Sequence, residues 1–233
     1  MTSGAAPPLG TEERRRFQGS GAALAGLLFA VLFSVGFVLL DRQPDRTADA
    51  DELLAYYRGP AGQVLLVAGV YVVPLAGLCF LWFVAATRQR LSLMARREDA
   101  LLGTVQLASG VLFVAMVFVS AAASVTGVAS VRVGGVDDSA TLAELRTMTT
   151  YGEALLMVYA FRTAAVFIVA STTRAWRARL FPGWFVVVGY AAALLLLVSL
   201  TYARVVVLVV PAWVAVTSGI ILFRRAHGDL EVV

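Results

Sequence analysis

Lysine and asparagine are absent from this chain of 233 residues, and histidine and cysteine occur once each. Each absence removes a chemistry. Without lysine there is neither a P-loop cation nor a Schiff base. The single histidine, His227, stands near the C-terminus, which excludes bis-histidine haem ligation, an H-E-x-x-H zinc site and a Ser-His protease. Cys79 sits in an apolar run and has no partner for a disulfide within the chain or for thiol exchange. No aspartate falls inside a long apolar run, which argues against an intramembrane aspartyl protease and against the usual carboxylate proton relay. No metal, cofactor or catalytic group is expected.

Charge is also scarce. Only 15% of residues are charged and 60% are hydrophobic, with a mean hydropathy of +0.82, against about 25% charged in an average soluble domain. The chain therefore reads as an all-α, polytopic membrane protein. Its 19 basic residues are all arginine, a bias that fits a GC-rich genome, and the net charge of +4 carries no nucleic-acid function.

A helix needs about 20 apolar residues to cross the hydrocarbon core. Six such windows are present, at 21–40, 62–86, 103–127, 151–172, 183–201 and 205–223. The last two are joined by Thr201 to Arg204, a tight hairpin with interfacial Tyr202 and Arg204, and Pro211 falls early in the sixth. Twelve of the arginines lie in the N-terminal tail, in the segments 88–97 and 174–179, and in the C-terminal tail, while the alternate connections hold six and most of the acids. Cytoplasmic segments carry the arginine excess, so both termini are expected in the cytoplasm of a multi-pass plasma-membrane protein. The domains are a disordered tail over 1–20, a transmembrane domain over 21–223 and a short tail over 224–233. "RRRF" ahead of the first window resembles a twin-arginine signal, but the apolar run is too long, no A-x-A site closes it and five more windows follow.

The outer connections carry structure of their own. In 41–61, Asp49 is placed to cap a short helix with Glu52 at N3; Ala50, Leu53, Leu54 and Tyr57 share a face, and Gly59–Pro60 ends it. In the third connection Asp137 and Asp138 precede "SATLAELRTM", with Thr141 and Glu144 as a capping box. Two short amphipathic helices are thus expected at the outer surface. The parallel extends to a weak repeat of 45–91 in 137–180, with "VAATR" echoed by "VASTTR".

Small residues recur four apart along the first window, where Gly26, Ala30 and Ser34 allow close backbone approach, either to other spans or to a second copy. Tyr71 and Pro74 mark a kink in the second window. The fourth window holds two ionisable residues. Glu153 lies near its outer end. Arg162 lies at its middle, with no acid within eight residues on either side. In an ideal α-helix the two point to opposite faces, about 13.5 Å apart along the axis. A side chain reaching roughly 6–7 Å does not clear a half-core of about 15 Å, and a cation left in lipid costs at least about 2.5–3.5 kcal/mol. Arg162 should face the interior, with Tyr159 beside it and Tyr71 and Tyr190 as partners from other spans. It is then either a polar staple or the contact for an anion.

A first span ending in "LLDRQPD", a connection with "ELLAYY", a second span ending in "LCFLWFVAATRQRL" and a tight final hairpin resemble the small six-span integral membrane proteins, of the domain-of-unknown-function kind, of high-GC bacteria. The resemblance implies a six-helix membrane fold and brings no activity. Two functional readings follow: a non-enzymatic structural or accessory component of the membrane, or a transporter or binding protein for a small anionic or amphiphilic solute or lipid that uses Arg162. The partners expected are the lipid bilayer, an anionic lipid or small anion, and a membrane protein or second copy.

Overall fold

The structure, a computed structural model, describes residues 11–44, 49–94, 100–135, 139–199 and 204–228. All elements among them are helical. α1 runs Thr11–Leu40, α2 Ala50–Arg58, α3 Pro60–Val67, α4 Val73–Met94, α5 Ala100–Arg132, α6 Ser139–Ala154, α7 Phe161–Arg177, α8 Gly183–Val198 and α9 Val209–Gly228. A π turn over Ala68–Val72 joins α3 to α4 and another over Leu155–Ala160 joins α6 to α7, so each pair forms one long rod. A 3-10 segment, Arg204–Leu208, leads into α9.

Several boundaries differ from the sequence expectation. α1 starts at Thr11, so the second half of the expected tail is helical, and α9 runs on past residue 224 to Gly228. Five helical stretches are long and apolar enough to cross a membrane: Gly21–Leu40, Pro60–Ser92, Ala100–Arg132, Thr147–Arg177 and Val205–Arg224. The window at 183–201 appears as the 16-residue α8, about 24 Å long against a core of about 30 Å. It stops at Ser199, whose backbone turns extended. α6 is not a separate surface helix. No Gly-Pro break separates it from the next span, in contrast to Gly59–Pro60 after α2, and it continues through the π turn into α7. Asp137 and Asp138 lie outside the described residues.

The helices close into a ring. α1 packs on α4 and α9, α4 on α5, α5 on α7, and α7 on α8, while α8 only lightly meets α9. Water-driven burial does not operate between helices in lipid, so close packing must hold the ring. Phe80 is its hub: fully buried, it lies 4.7 Å from Phe29 of α1 and 5.1 Å from both Phe113 of α5 and Phe167 of α7. Phe167 in turn meets Trp213 of α9 edge-on at 6.0 Å. Gly26 is buried where α1 crosses α4 and α9. A Cβ there would lie 2.8 Å from the Phe83 ring and collide with the Ser218 hydroxyl, so Gly26 itself packs within the chain. Ala30 and Ser34 are half-buried further along it.

A second, smaller core lies at the far end of α5, where Leu53 and Tyr57 of α2 pack with Leu65, Val125, Val128 and Val131. Arg132 fastens this cap. Its guanidinium donates to the carbonyls of Tyr57 (2.7 Å), Arg58 (3.0 Å) and Gly59 (2.5 Å) and to Gln63 Oε1 (2.7 Å). Those carbonyls belong to the last turn of α2 and its exit, which a helix leaves without partners of its own. Beside the cap, Tyr56 donates to the Arg42 carbonyl at 3.1 Å, and burial pushes its phenol above the ordinary pKa against the pull of the Arg42 charge.

The two π turns have separate causes. Pro74 has no N–H to return to the preceding turn, and the widened turn just before it absorbs the loss, with Val73 N–H bonding to Ala68. At the second, side chains draw on the helix's own carbonyls: Ser120 donates to Gly152 O at 2.7 Å and Arg162 to Val158 O at 2.5 Å. The two turns stand at matching places in the two halves of the weak repeat.

Candidate polar cleft at the arginine-rich end

Arg162 is half-buried, and its side chain runs back toward the start of its own helix, the ordinary direction for a helical residue, to reach Val158 O. The expected tyrosine cage around it is not formed. Tyr71 and Tyr159 are 69% and 57% exposed on the outside of the ring, and the Tyr190 hydroxyl pairs with Thr173 Oγ1 at 2.8 Å instead. Glu153 is half-buried on the same rod. The intervening π turn advances less per residue than an α-helix, so the half-turn offset computed for an ideal helix does not hold.

Buried polar side chains gather elsewhere, where α4 and α7 end and α5 begins. Thr87, Gln106, Ser109, Ser171, Thr172, Arg174, Thr217 and Ser218 are all buried in this third of the ring. Arg174 is 6% exposed and Gln106 1% exposed. The Arg174 guanidinium donates to Gln106 Oε1, which turns the Gln106 NH2 away from it. A charge at this depth is held by such contacts or not at all.

Next to this pair lies a small cleft of about 20 Å³, lined by Phe83, Thr87, Arg90 and Leu91 of α4, Gln106 of α5, Ser171 and Ala175 of α7, Leu180 and Phe181 after it, and Trp213, Thr217 and Ile221 of α9. Its walls are mostly apolar. Four helices distant in sequence converge on it. The turn after α7 supplies one side: Arg179 adopts a left-handed backbone (φ 54°), Leu180 N–H reaches back to Ala175 O at 2.8 Å, and Arg224 holds the Arg179 carbonyl at 2.9 Å. Glycine is the usual residue in that conformation, so the turn carries backbone strain.

The hydroxyls here divide into two kinds. Thr87, Ser109 and Thr173 each donate to a carbonyl one turn back, at 2.6, 2.6 and 2.8 Å, the common solution for a helical hydroxyl away from water. Ser171 and Thr217, which line the cleft, do not: their oxygens are sealed and without a hydrogen-bond partner. Thr172 Oγ1, Trp213 Nε1 and Ser218 Oγ share that state, the first two against Gly189 of α8 and the last against Gly26 of α1. Each such atom costs about 1–3 kcal/mol. Five of them lie at this end of the ring.

No three of His, Cys, Asp and Glu come together among the described residues. The accessible wall of the cleft is apolar, and the Ser171 and Thr217 hydroxyls sit sealed behind it. This site has little sequence signature, because most of its members are Ser and Thr scattered through apolar runs. The available signals were Gln106, an amide inside a span, and Arg174, counted only as an end charge. Comparisons with protein-family models, with curated proteins and with solved structures find no match to this chain.

Proposed function

We propose that this chain is a non-enzymatic, six-span protein of the plasma membrane, of the same kind as the six-span proteins it resembles, and that it holds a small anionic or amphiphilic ligand in the cleft at its arginine-rich end. The five long apolar helices support membrane embedding. α8 joins them as the sixth span, its short length met by local thinning of the bilayer and by Trp184 at its start. The concentration of arginine at the cleft end supports a cytoplasmic location for that end and for both termini.

The observation that carries the reading is the unpartnered hydroxyl pair, Ser171 and Thr217, in the wall of the cleft. An ionisable residue inside a span points to function by default, and Arg174 is buried beside this pair. The test is native mass spectrometry of the protein purified in a mild detergent. The expected result is a co-purifying small molecule that is lost from Ser171→Ala/Thr217→Val; a spectrum of bare protein under every condition, with the variant identical, overturns it. A second reading, a structural or accessory component acting through its packed helices, is favoured by the aromatic hub around Phe80, and bare protein in that spectrum would support it.

A further inference from the structure

We infer that Arg162 holds the phosphate of a membrane phospholipid, one hydrocarbon chain of which lies in the outward groove between α7 and α8. The inference is independent of the cleft and rests only on the reading of the chain as membrane-embedded.

The burial pattern of α7 places Arg162 on the outside of the ring. Arg162, Val166, Val169, Thr173 and Trp176 recur at i, i+4, i+7, i+11 and i+14, a single stripe of a helix. All five are exposed or half-buried, while Phe161, Ala164, Ala165, Phe167 and Ile168, off that stripe, are buried. One of the N–H donors of Arg162 goes to Val158 O at 2.5 Å, and no carboxylate pairs with it among the described residues. A permanent cation facing hydrocarbon calls for a counter-charge.

Depth decides which anion reaches it. Trp176 and Trp184 are exposed where α7 ends and α8 begins, the level of one membrane boundary. From Trp176 to Arg162 is about 21 Å by helical rise, which in a core of about 30 Å leaves about 9 Å to the opposite boundary. The side chain runs toward that boundary, since Val158 lies on that side, and it spans roughly 6–7 Å of the distance. A headgroup phosphate of that leaflet then has only about 2–3 Å to descend. The carboxylate of a partner's span would instead have to be carried into hydrocarbon at its own cost. The lipid phosphate is therefore the favoured anion.

The groove supplies the place for the chain. Thr173 Oγ1 and Tyr190 OH, 2.8 Å apart, fix where the stripe of α7 meets α8. From there Leu194 and Leu197, both exposed, continue the edge of α8 at i+4 and i+7 beside Val169 and Val166 of the antiparallel α7. α8 stops at Val198, so by helical rise Arg162 stands about 4–5 Å beyond its last turn. No described residue of α8 covers it. Arg162 thus closes the open end of an apolar groove that the Thr173–Tyr190 pair closes at the other. The distance between the two ends is about 16 Å, close to the half-core of about 15 Å that one leaflet's chains occupy.

The experiment is native mass spectrometry of the full chain in a neutral detergent, titrated with dioleoyl phosphatidylglycerol, dioleoyl phosphatidylcholine, dioleoylglycerol and inorganic phosphate. One molecule of either phospholipid should bind saturably, at concentrations about tenfold or more below those needed for dioleoylglycerol, which has the same chains and no phosphate. Arg162→Leu should abolish that preference and Arg162→Lys should keep part of it. Val166→Trp, which fills the groove and leaves the charge in place, should weaken all three lipids. Both positions face outward, so the variants should melt as the parent does. Equal binding of phospholipid and dioleoylglycerol by the parent, or a preference that survives in Arg162→Leu, overturns the phosphate contact. Binding of inorganic phosphate at the same concentrations overturns the lipid. Undiminished phospholipid binding by Val166→Trp overturns the groove. A second protein chain that is lost from Arg162→Leu, with no lipid bound to the parent, assigns the guanidinium to a carboxylate and overturns the inference. Flotation with vesicles separates the two failures: a chain that floats and shows no phosphate preference loses the lipid seat and keeps its embedding, whereas a chain left in the aqueous fraction loses both.

Discussion

Arg132→Met removes the fastening of the α2 cap, and its cost can be worked from the contacts. Four hydrogen bonds disappear. The two to Arg58 and Gln63 are exposed, so water replaces them at little cost. The two to Tyr57 and Gly59 are partly buried and charge-assisted, each worth about 1.5–3 kcal/mol, and discounting for partial exposure leaves a combined loss of about 2–4 kcal/mol. What remains to hold α2 is the burial of Leu53 and Tyr57, at about 1.5–3 kcal/mol apiece. The cap should therefore open locally rather than unfold the ring. A loss of 2–4 kcal/mol corresponds to roughly 30- to 1,000-fold faster exchange of the α2 amides at about 1.4 kcal/mol per decade. Hydrogen exchange by mass spectrometry, comparing peptides over 50–60 with peptides in the middle of α5, gives the answer. Arg132→Lys should recover only part of the protection, because a point charge lacks the planar fork. Unchanged exchange in 50–60 for Arg132→Met would refute the clamp.

Three further substitutions probe other parts of the ring. Gly152→Ala places a Cβ 2.8 Å from the Ser120 carbonyl oxygen and should force α6 off α5, lowering stability by about 1–3 kcal/mol; an unchanged melting curve would show the contact to be loose. Arg162→Leu exchanges one hydrogen bond to Val158 O for a side chain that lipid and core both accept, so stability should hold or rise by up to about 2 kcal/mol; a fall of many degrees would establish Arg162 as a staple between spans. Arg179→Gly relieves the left-handed backbone after α7 and should stabilise by about 0.5–1 kcal/mol in thermal melting, a gain that a destabilised variant would contradict.

The long apolar runs and the asymmetric arginines were legible because a bilayer imposes length and charge rules on any chain that crosses it. The face of α2 was legible for the same reason on a smaller scale, since Leu53 and Tyr57 repeat at the helical period and are the residues that the cap buries. The surroundings of Arg162 were not. Placing it by a fixed 100° per residue assumes an unbroken α-helix, and the π turn over Leu155–Ala160, recruited by Ser120 and Arg162 themselves, shifts the phase. Assigning Tyr71, Tyr159 and Tyr190 to it required knowing which way each span faces, and lipid accepts exposed tyrosine without a sequence signature. The cleft was illegible for another reason. Ser171, Thr217 and Gln106 are far apart in the chain, and an idle hydroxyl differs from a bonded one only in the structure.

Access to the cleft from the arginine-rich side is the central claim, and the chain's single native cysteine makes it directly measurable. In a Cys79→Ser background, Arg90→Cys, half-buried in the wall of the cleft, should react with a membrane-impermeant thiol reagent in inside-out vesicles and not in intact cells. No labelling from either side, under conditions where a cysteine at exposed position 176 does react, would mean that the cleft is closed and that its hydroxyls bind nothing.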